Sequence, residues 1–547
     1  MARLDRLGPA KEIAQTAAVI GQQFSYSLLE MVSSASATDV STGIARLVDA
    51  GLMFPQSQRA EPSYSFKHAL MRDVAYDNLL RARRQQIHER VARALEEHFH
   101  SVAENEPELL AQHFARGGLA DLACTHSERA GDRAAARSNF AEAVANFSAG
   151  LTEAGKLAEG LDRSRRELAL LLKLGPAVSI IQGAQSPEVE QVYGRAQAMA
   201  TSLGDEAGMF KATWGLWYTA NVGRKLEQAR DRAQELVVLA ERSSDADLLL
   251  EAFHCRWSTA QFRGDVATAL RDSREGIERY NPVRHSWMGP VFGGHDPGVC
   301  AHQVVAQALC LSGFIGQAKK FAEQALSLAE MLKHPHSLGH ALFNALIVYQ
   351  LSGDDENVDR FARRVIELAN RYNFPPLRSH GIMTSGWAKA VIHTSSAGVE
   401  VMEAEYPRAI GIGPLFRYYA VLLAEAQAKF GKFSEALTIL RPALQTVTEP
   451  GVGICVPELY RLQGVCLFRL DSHNEKEAIN SLQVAIHIAK QQQATLFQLK
   501  AAIDIAEVAS SIRQPETDLQ PLRELYANLP EGFDAPQLAQ AKQLLSI

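Results

Sequence analysis

The chain has 547 residues, 47% of them hydrophobic and 22% charged, with a formal net charge of −6. Such a chain has the apolar content to fold, and its acidic balance lacks the basic excess expected of a nucleic-acid binder. Aromatics reach only 7% beside abundant alanine and leucine, which favours close-packed helices over sheets.

The opening stretch differs from the remainder. Ala10 to Ile20 is expected as a short helix, Tyr26 to Val32 as a second and Asp39 to Ala50 as a third, with Val40, Ile44, Leu47 and Val48 on one face. Gly51 fits the residue that ends a helix in a left-handed turn. Leu52-Met53-Phe54 and Tyr64-Ser65-Phe66 flank a polar segment containing Pro55 and Pro62, which suggests a small β-hairpin. Three short helices and a hairpin are the elements of a winged-helix module, expected over 1–85. A long amphipathic helix with Ile87, Val91, Ala94 and Leu95 on one stripe opens linking helices over 86–125.

No strand signal follows, and a repeat takes over between 126 and 510. A tetratricopeptide-like stripe places small or apolar residues four and then three apart on one helix face, so that a partner helix can approach closely. It occurs as Ala143/Phe147/Gly150, Val189/Tyr193/Ala196, Ala229/Ala233/Leu236, Ala269/Ser273/Gly276 and Ala318/Ala322/Ala325. It continues as Val358/Ala362/Val365, Gly398/Met402/Glu405, Ala436/Leu440/Ala443 and Ala478/Leu482/Ala485. First positions lie 46, 40, 40, 49, 40, 40, 38 and 42 residues apart, longer than the unit of about 34 in the standard tetratricopeptide repeat. Gly264, Gly353 and Gly431 precede stripes and mark the turn inside each helix pair. The expected fold is therefore all-α: a tetratricopeptide-like superhelix of roughly nine to eleven helix pairs, preceded by the small winged-helix-like module and closed by capping helices over 511–547.

Residues 280–299 break the period with three prolines, four glycines, Trp287 and Phe292, and loops of this kind often carry function. The candidate ligand-binding residues are Trp287, His295 and Asp296. A carboxylate beside an imidazole can orient a ligand or move a proton. The plainer reading, and the favoured one, makes Asp296 the cap of the next helix with Pro297 at its first position, and Trp287 and Phe292 anchors of the loop.

Catalytic signatures are missing. There is no G-x-x-x-x-G-K-S/T phosphate loop, no H-E-x-x-H, no G-x-S-x-G and no G-x-G-x-x-G after a strand. No catalytic residue, cofactor or metal site is expected, and His334-Pro335-His336 reads as a solvated helix end because metal sites need three or four converging ligands. Cys124, Cys255, Cys300, Cys310, Cys455 and Cys466 form no C-x-x-C pair and are expected as free thiols in a reducing cytoplasm. The amino terminus is broken by Lys11, Glu12 and Gln15, unlike a signal peptide. The apolar run Leu168 to Ile181 is interrupted by Lys173, Gly175 and Pro176 and is too short to span a bilayer. The expected location is cytoplasmic, with no membrane contact. DNA is not the expected partner: the third helix sets Asp39 and Asp49 against Arg46 alone, and Arg81, Arg83 and Arg84 suit surface ion pairs.

Four segments carry a resemblance. YSFKHALMRDVAYDNLLRARRQQIHERVARALE (64–96) and ELLAQHFARGG (108–118) resemble the winged-helix-to-repeat junction of bacterial signal-transduction ATPases with numerous domains. GGHDPGVCAHQVVAQALCLSG (293–313) and LPEGFDAPQLAQAKQLL (529–545) resemble the branch in which a class III adenylate/guanylate cyclase domain and an AAA-type ATPase domain precede such repeats. The resemblance runs from about Leu4 to Leu545 and implies similarity to the regulatory, carboxy-terminal part of those proteins. The cyclase aspartates and the phosphate loop lie upstream in that family, so no catalytic residue carries over. The start, Met1 to Leu7, falls inside the usual domain junction and suggests a truncated or split gene product. The expectation is a non-catalytic sensor scaffold that binds a protein or small effector, with a nucleotide-binding or cyclase domain supplied by another chain. The alternative is a transcription regulator with a DNA-binding winged helix and an inducer-sensing repeat domain.

Overall fold

The computed structural model describes residues 8–56, 62–137, 139–292, 294–411, 415–447, 453–511 and 519–547. The Met1 to Leu7 start, the polar part of the hairpin at 57–61 and Gly293 lie outside the described residues. The chain divides into two compact units, Met1–Ala212 and Thr213–Ile547.

The first unit opens with helices Ala10–Ile20, Tyr26–Val32 and Ala37–Asp49 and the strands β1 (Gln23–Ser25), β2 (Met53–Gln56) and β3 (Ser63–Phe66). The strands form one antiparallel sheet in the order β1-β3-β2, with Phe24 opposite Tyr64 and Met53 opposite Phe66. Ser25 and Ser36 cap the second and third helices through Leu28 N and Asp39 N. Gly51, at φ +66°, lets the chain leave the third helix. Strand β1 was not anticipated. Three residues are too few to show a period of two, and β1 exists because β3 supplies its ladder and Phe24 packs on Tyr64 and Phe66.

All nine stripes lie on helices, and every stripe residue is buried. Those helices are Phe140–Ala154, Pro187–Leu203, Leu226–Ser243, Val266–Arg279, Ile315–Leu332, Asp355–Tyr372, Ala397–Ala409, Phe433–Gln445 and Glu475–Gln491. The stripe is small because its neighbours are large. A Cβ on Gly276 would meet the Trp257 ring at 2.3 Å. The turn glycines Gly264, Gly353 and Gly431 have φ of +82°, +65° and +71°, and Asp265 and Asp354 cap the helices that follow the first two. Among the described residues no strand follows β3.

In the second unit the first helices of successive pairs pack on one another. They are Ala246–Arg263, Pro297–Leu311, Pro335–Leu351, Pro375–Trp387, Phe416–Lys429, Val456–Leu470 and Thr495–Ser511. The succession turns back on itself, and Pro297–Leu311 also touches Thr495–Ser511. The closure is hydrogen-bonded: Gly453 N donates to Arg263 O at 2.8 Å and Tyr418 Oη to Gln350 Oε1 at 3.2 Å. Closure explains why Pro297–Leu311 buries 14 of its 15 residues: it has no solvent side, so its sequence carries no amphipathic rhythm.

The 280–299 segment contains two one-turn helices, Pro282–His285 and Met288–Val291, before the Pro297 helix begins. All six cysteines are free, Cys455 half-buried and the others buried. Among the described residues no helix is long and apolar enough to cross a membrane.

Candidate functional site

The closed turn of the second unit holds a partly open cavity of about 170 Å³. One side is aromatic and aliphatic, with Trp214, Trp217, Tyr218, Phe262, Phe343 and Ile347. Trp214 stacks on Tyr218 at 5.3 Å between ring centres, and the Trp217 indole donates to Thr259 Oγ1 at 2.8 Å. A second side carries amides from successive helices. Gln261 Nε2 donates to Gln307 Oε1, and Gln307 Nε2 donates to Asn344 Oδ1 at 2.6 Å. A smaller chamber of about 40 Å³ shares Gln307, Ile347, Leu415 and Ile454 with the first. Apolar walls with a few convergent polar groups are the usual make-up of a small-molecule site.

The third side is a cluster of imidazoles around a thiol. His254 Nε2 and His295 Nε2 stand 3.1 Å apart. The His254 Nδ1 faces Glu251 Oε2 at 3.1 Å, and the other oxygen of Glu251 accepts from the Trp214 indole at 2.8 Å. The Trp257 indole donates to Cys300 Sγ at 3.4 Å, and His340 stacks on His295 with ring centres 3.9 Å apart. Glu251 and Trp257 are both wholly buried.

Burial raises the Glu251 carboxyl against the pull of His254. Burial also opposes a charge on His254, but the Glu251 and Cys300 anions outweigh it and hold the imidazole well above its ordinary range. The Cys300 thiol is pushed up by burial yet ends well below its ordinary range, because His254 carries positive charge and His254, His295 and His340 hydrogen-bond the sulfur. His295 is driven down to about 3 by burial and by its neighbour His340.

Of the three candidates read from sequence, His295 alone lies on this cavity. Asp296 is the cap of Pro297–Leu311, with Oδ1 accepting from Val299 N at 3.0 Å and Oδ2 from the Tyr280 hydroxyl at 2.8 Å. Trp287 is 45% exposed and rests on Phe292 at 6.2 Å, away from the cavity lining. His336, from the His334-Pro335-His336 run, approaches His295 at 6.4 Å between ring centres, while His334 Nδ1 pairs with Ser337 Oγ at 2.9 Å.

The sequence reading missed Glu251, His254, Cys300, His340, Trp214 and Trp217. A signal existed in the repeat period: Trp214 to His254 and Cys300 to His340 are each 40 residues, one repeat length, so these residues occupy neighbouring positions on adjacent helices.

Fold and site together define a helical-repeat protein with an internal polar-aromatic cavity. No family model matches the chain. It is 24% identical over 515 residues to an uncharacterised protein of Rhizobium meliloti (strain 1021), covering 92% of this chain, and it spans about half (49%) of that relative's length. Among solved structures it is similar to a signal-transduction ATPase with a tetratricopeptide repeat sensor from Pyrococcus horikoshii, at 10% identity and TM-score 0.39, covering 77% of this chain and 65% of that one. It is similar to a Rap protein complexed with competence and sporulation factor at 11% identity and TM-score 0.44, covering 77% and 99%. It is also similar to the apo quorum sensor NprR from B. thuringiensis at 13% and 0.39, covering 67% and 98%.

Proposed function

We propose that the chain is a regulatory sensor scaffold whose effector is a small molecule held inside the closed turn of the second unit. The observation that carries this reading is the cavity itself, lined both by aromatic rings and by the Gln261–Gln307–Asn344 amide relay. A cavity of about 170 Å³ suits a small effector better than a protein segment, which needs a long groove. In this reading the first unit passes the change to a nucleotide-binding or cyclase domain on another chain, as the resemblance of its 64–96 segment suggests.

DNA binding gains nothing from the surface charges. Arg83 is held by Glu12 at 2.9 Å, and Arg84 lies over the Tyr76 ring at 4.4 Å.

The test is retention of a small molecule. The purified chain is incubated with a small-molecule cell extract, washed and denatured, and the released compounds are identified by mass spectrometry. The expected result is a compound that raises the unfolding temperature, quenches tryptophan emission and is lost in Gln307→Leu. Nothing retained, or equal retention by Gln307→Leu, would sink the proposal.

A further inference from the structure

We propose that His254, His295 and Cys300 form a transition-metal site of zinc type, oriented by Glu251, with His340 placed to supply a fourth donor. The site goes beyond the effector reading, since the chain can bind an ion here whether or not an organic molecule occupies the cavity.

The donor atoms of His254, His295 and Cys300 all lie within 4.8 Å of one another. Two imidazole nitrogens and one sulfur converging on a point are the donor types of a tetrahedral zinc site. Bonds of about 2.0–2.1 Å to nitrogen and 2.3 Å to sulfur put tetrahedral donors about 3.3–3.6 Å apart. At its widest the cluster has to contract by roughly an ångström to close on an ion.

The surrounding groups fit outer-shell roles. Glu251 faces His254 Nδ1 at 3.1 Å, so when an ion displaces the proton from Nε2 the carboxylate holds the remaining proton on Nδ1 and Nε2 becomes the ligating atom. Glu251 is itself fixed by the Trp214 indole at 2.8 Å. The Trp257 N–H at 3.4 Å from Cys300 Sγ supports a thiolate, and metal-bound sulfurs commonly accept such bonds. One thiolate with imidazoles suits Zn²⁺ and excludes Mg²⁺ and Ca²⁺, which take oxygen donors. His340 stacks on His295 and reaches the Cys300 sulfur, so a rotation about its side chain brings a fourth donor to the ion.

Cobalt is the probe. The chain, stripped with a chelator and titrated with Co²⁺, is expected to develop a thiolate-to-cobalt charge-transfer band and intense visible bands that saturate at one equivalent and vanish on adding zinc. Cys300→Ser removes the charge-transfer band with the helical circular dichroism unchanged. Glu251→Gln lowers zinc affinity by about 10–100-fold. Alkylation with mass mapping covers the case in which a variant fails to fold: zinc protects Cys300 in the wild-type chain, leaving the reactivity of Cys455 unaltered. No band at one equivalent, an unchanged band in Cys300→Ser, or alkylation of Cys300 indifferent to zinc would each overturn the site. None of these readouts uses the effector, so failure here leaves the effector reading standing, and the reverse also holds.

Discussion

The carboxylate of Asp534 accepts from the backbone N–H of Gly316 at 2.8 Å, across 218 residues of chain. Its other oxygen accepts from Ile315 N, so one aspartate satisfies two of the open amides at the start of Ile315–Leu332. Phe533 lies against Gly313 beside it, and Asp534 N donates to Gly313 O at 3.0 Å. Gly313 ends the 293–313 segment, with Ile315 and Gly316 just beyond it, and Phe533 and Asp534 belong to 529–545; these are two of the four segments that carry the family resemblance. In space they form one latch that closes the turn around the cavity.

Asp534→Ala removes an acceptor from a helix start, where such losses cost about 1–2 kcal/mol. The expected outcome is destabilisation of that size in urea and faster proteolysis of the carboxy-terminal helices, with Asp534→Asn intermediate. Urea midpoints and proteolysis rates matching the wild type would show that the latch does not hold the turn closed.

A buried ion network braces the far wall of the smaller chamber. Arg461 donates to both oxygens of Glu458, at 2.8 and 3.0 Å, and to Asp504 Oδ2 at 2.8 Å, while Lys500 Nζ also binds Glu458. Despite burial, the two cations hold the Glu458 carboxyl down at about 2. Glu458→Ala leaves two cations facing a site that was built for an anion, a loss of about 3–5 kcal/mol. Chemical denaturation checks it, and a cost below about 1 kcal/mol would mean that the network behaves as a surface pair does.

How much of this was legible beforehand depends on the kind of signal. The stripe residues were readable because each stripe depends only on spacing within one helix, and Ala318/Ala322/Ala325 has the same spacing whatever else the chain does. Asp296 was readable as a cap because Asp-Pro is a local pattern. The cavity was not, since it needs Pro297–Leu311 to meet Thr495–Ser511, and no local pattern records that closure. His254 looked like one of many histidines. Its meaning arises from Glu251 one turn earlier and His295 one repeat later. Trp287 stood both as a ligand candidate and as a loop anchor, because an aromatic in a Pro- and Gly-rich loop has the same sequence appearance whether it lines a cavity or rests on Phe292 at the surface.

In the first unit His88 Nδ1 faces His113 Nδ1 at 3.0 Å, both buried, with the Tyr76 hydroxyl 2.9 Å from His88 Nε2. Burial, their mutual repulsion and Arg116 push His88 down to about 3, and burial with Arg116 pushes His113 down to about 4. Arg84 acts on His88 in the same direction. Both folded values lie below the ordinary 6.5, so the unfolded chain binds more protons and stability falls as pH falls. The loss begins as pH drops through 6.5 and reaches about 2 kcal/mol per histidine near pH 5. Glu458 stays paired throughout that window, because its stabilisation is lost only from about 4.5 downward. Unfolding free energies at pH 7 and 5 are expected to differ less in His113→Gln than in the wild type. Equal differences would remove the pair from the acid response.

Gly276 ties repeat packing to the cluster. It sits inside Val266–Arg279, where alanine is favoured over glycine by about 1 kcal/mol. Its missing side chain, however, leaves room for Trp257, which is wholly buried and whose indole N–H reaches Cys300 Sγ at 3.4 Å. A methyl at Gly276 would press on that ring from 2.3 Å, and the ring is wholly buried. Overpacking of this kind costs about 1–3 kcal/mol, more than the helix preference returns. Gly276→Ala is therefore expected to lower stability and to shift the tryptophan emission as the indole leaves the sulfur. Stabilisation by the full alanine preference, with emission unchanged, would mean that Trp257 is free to move and is not the fixed donor to Cys300.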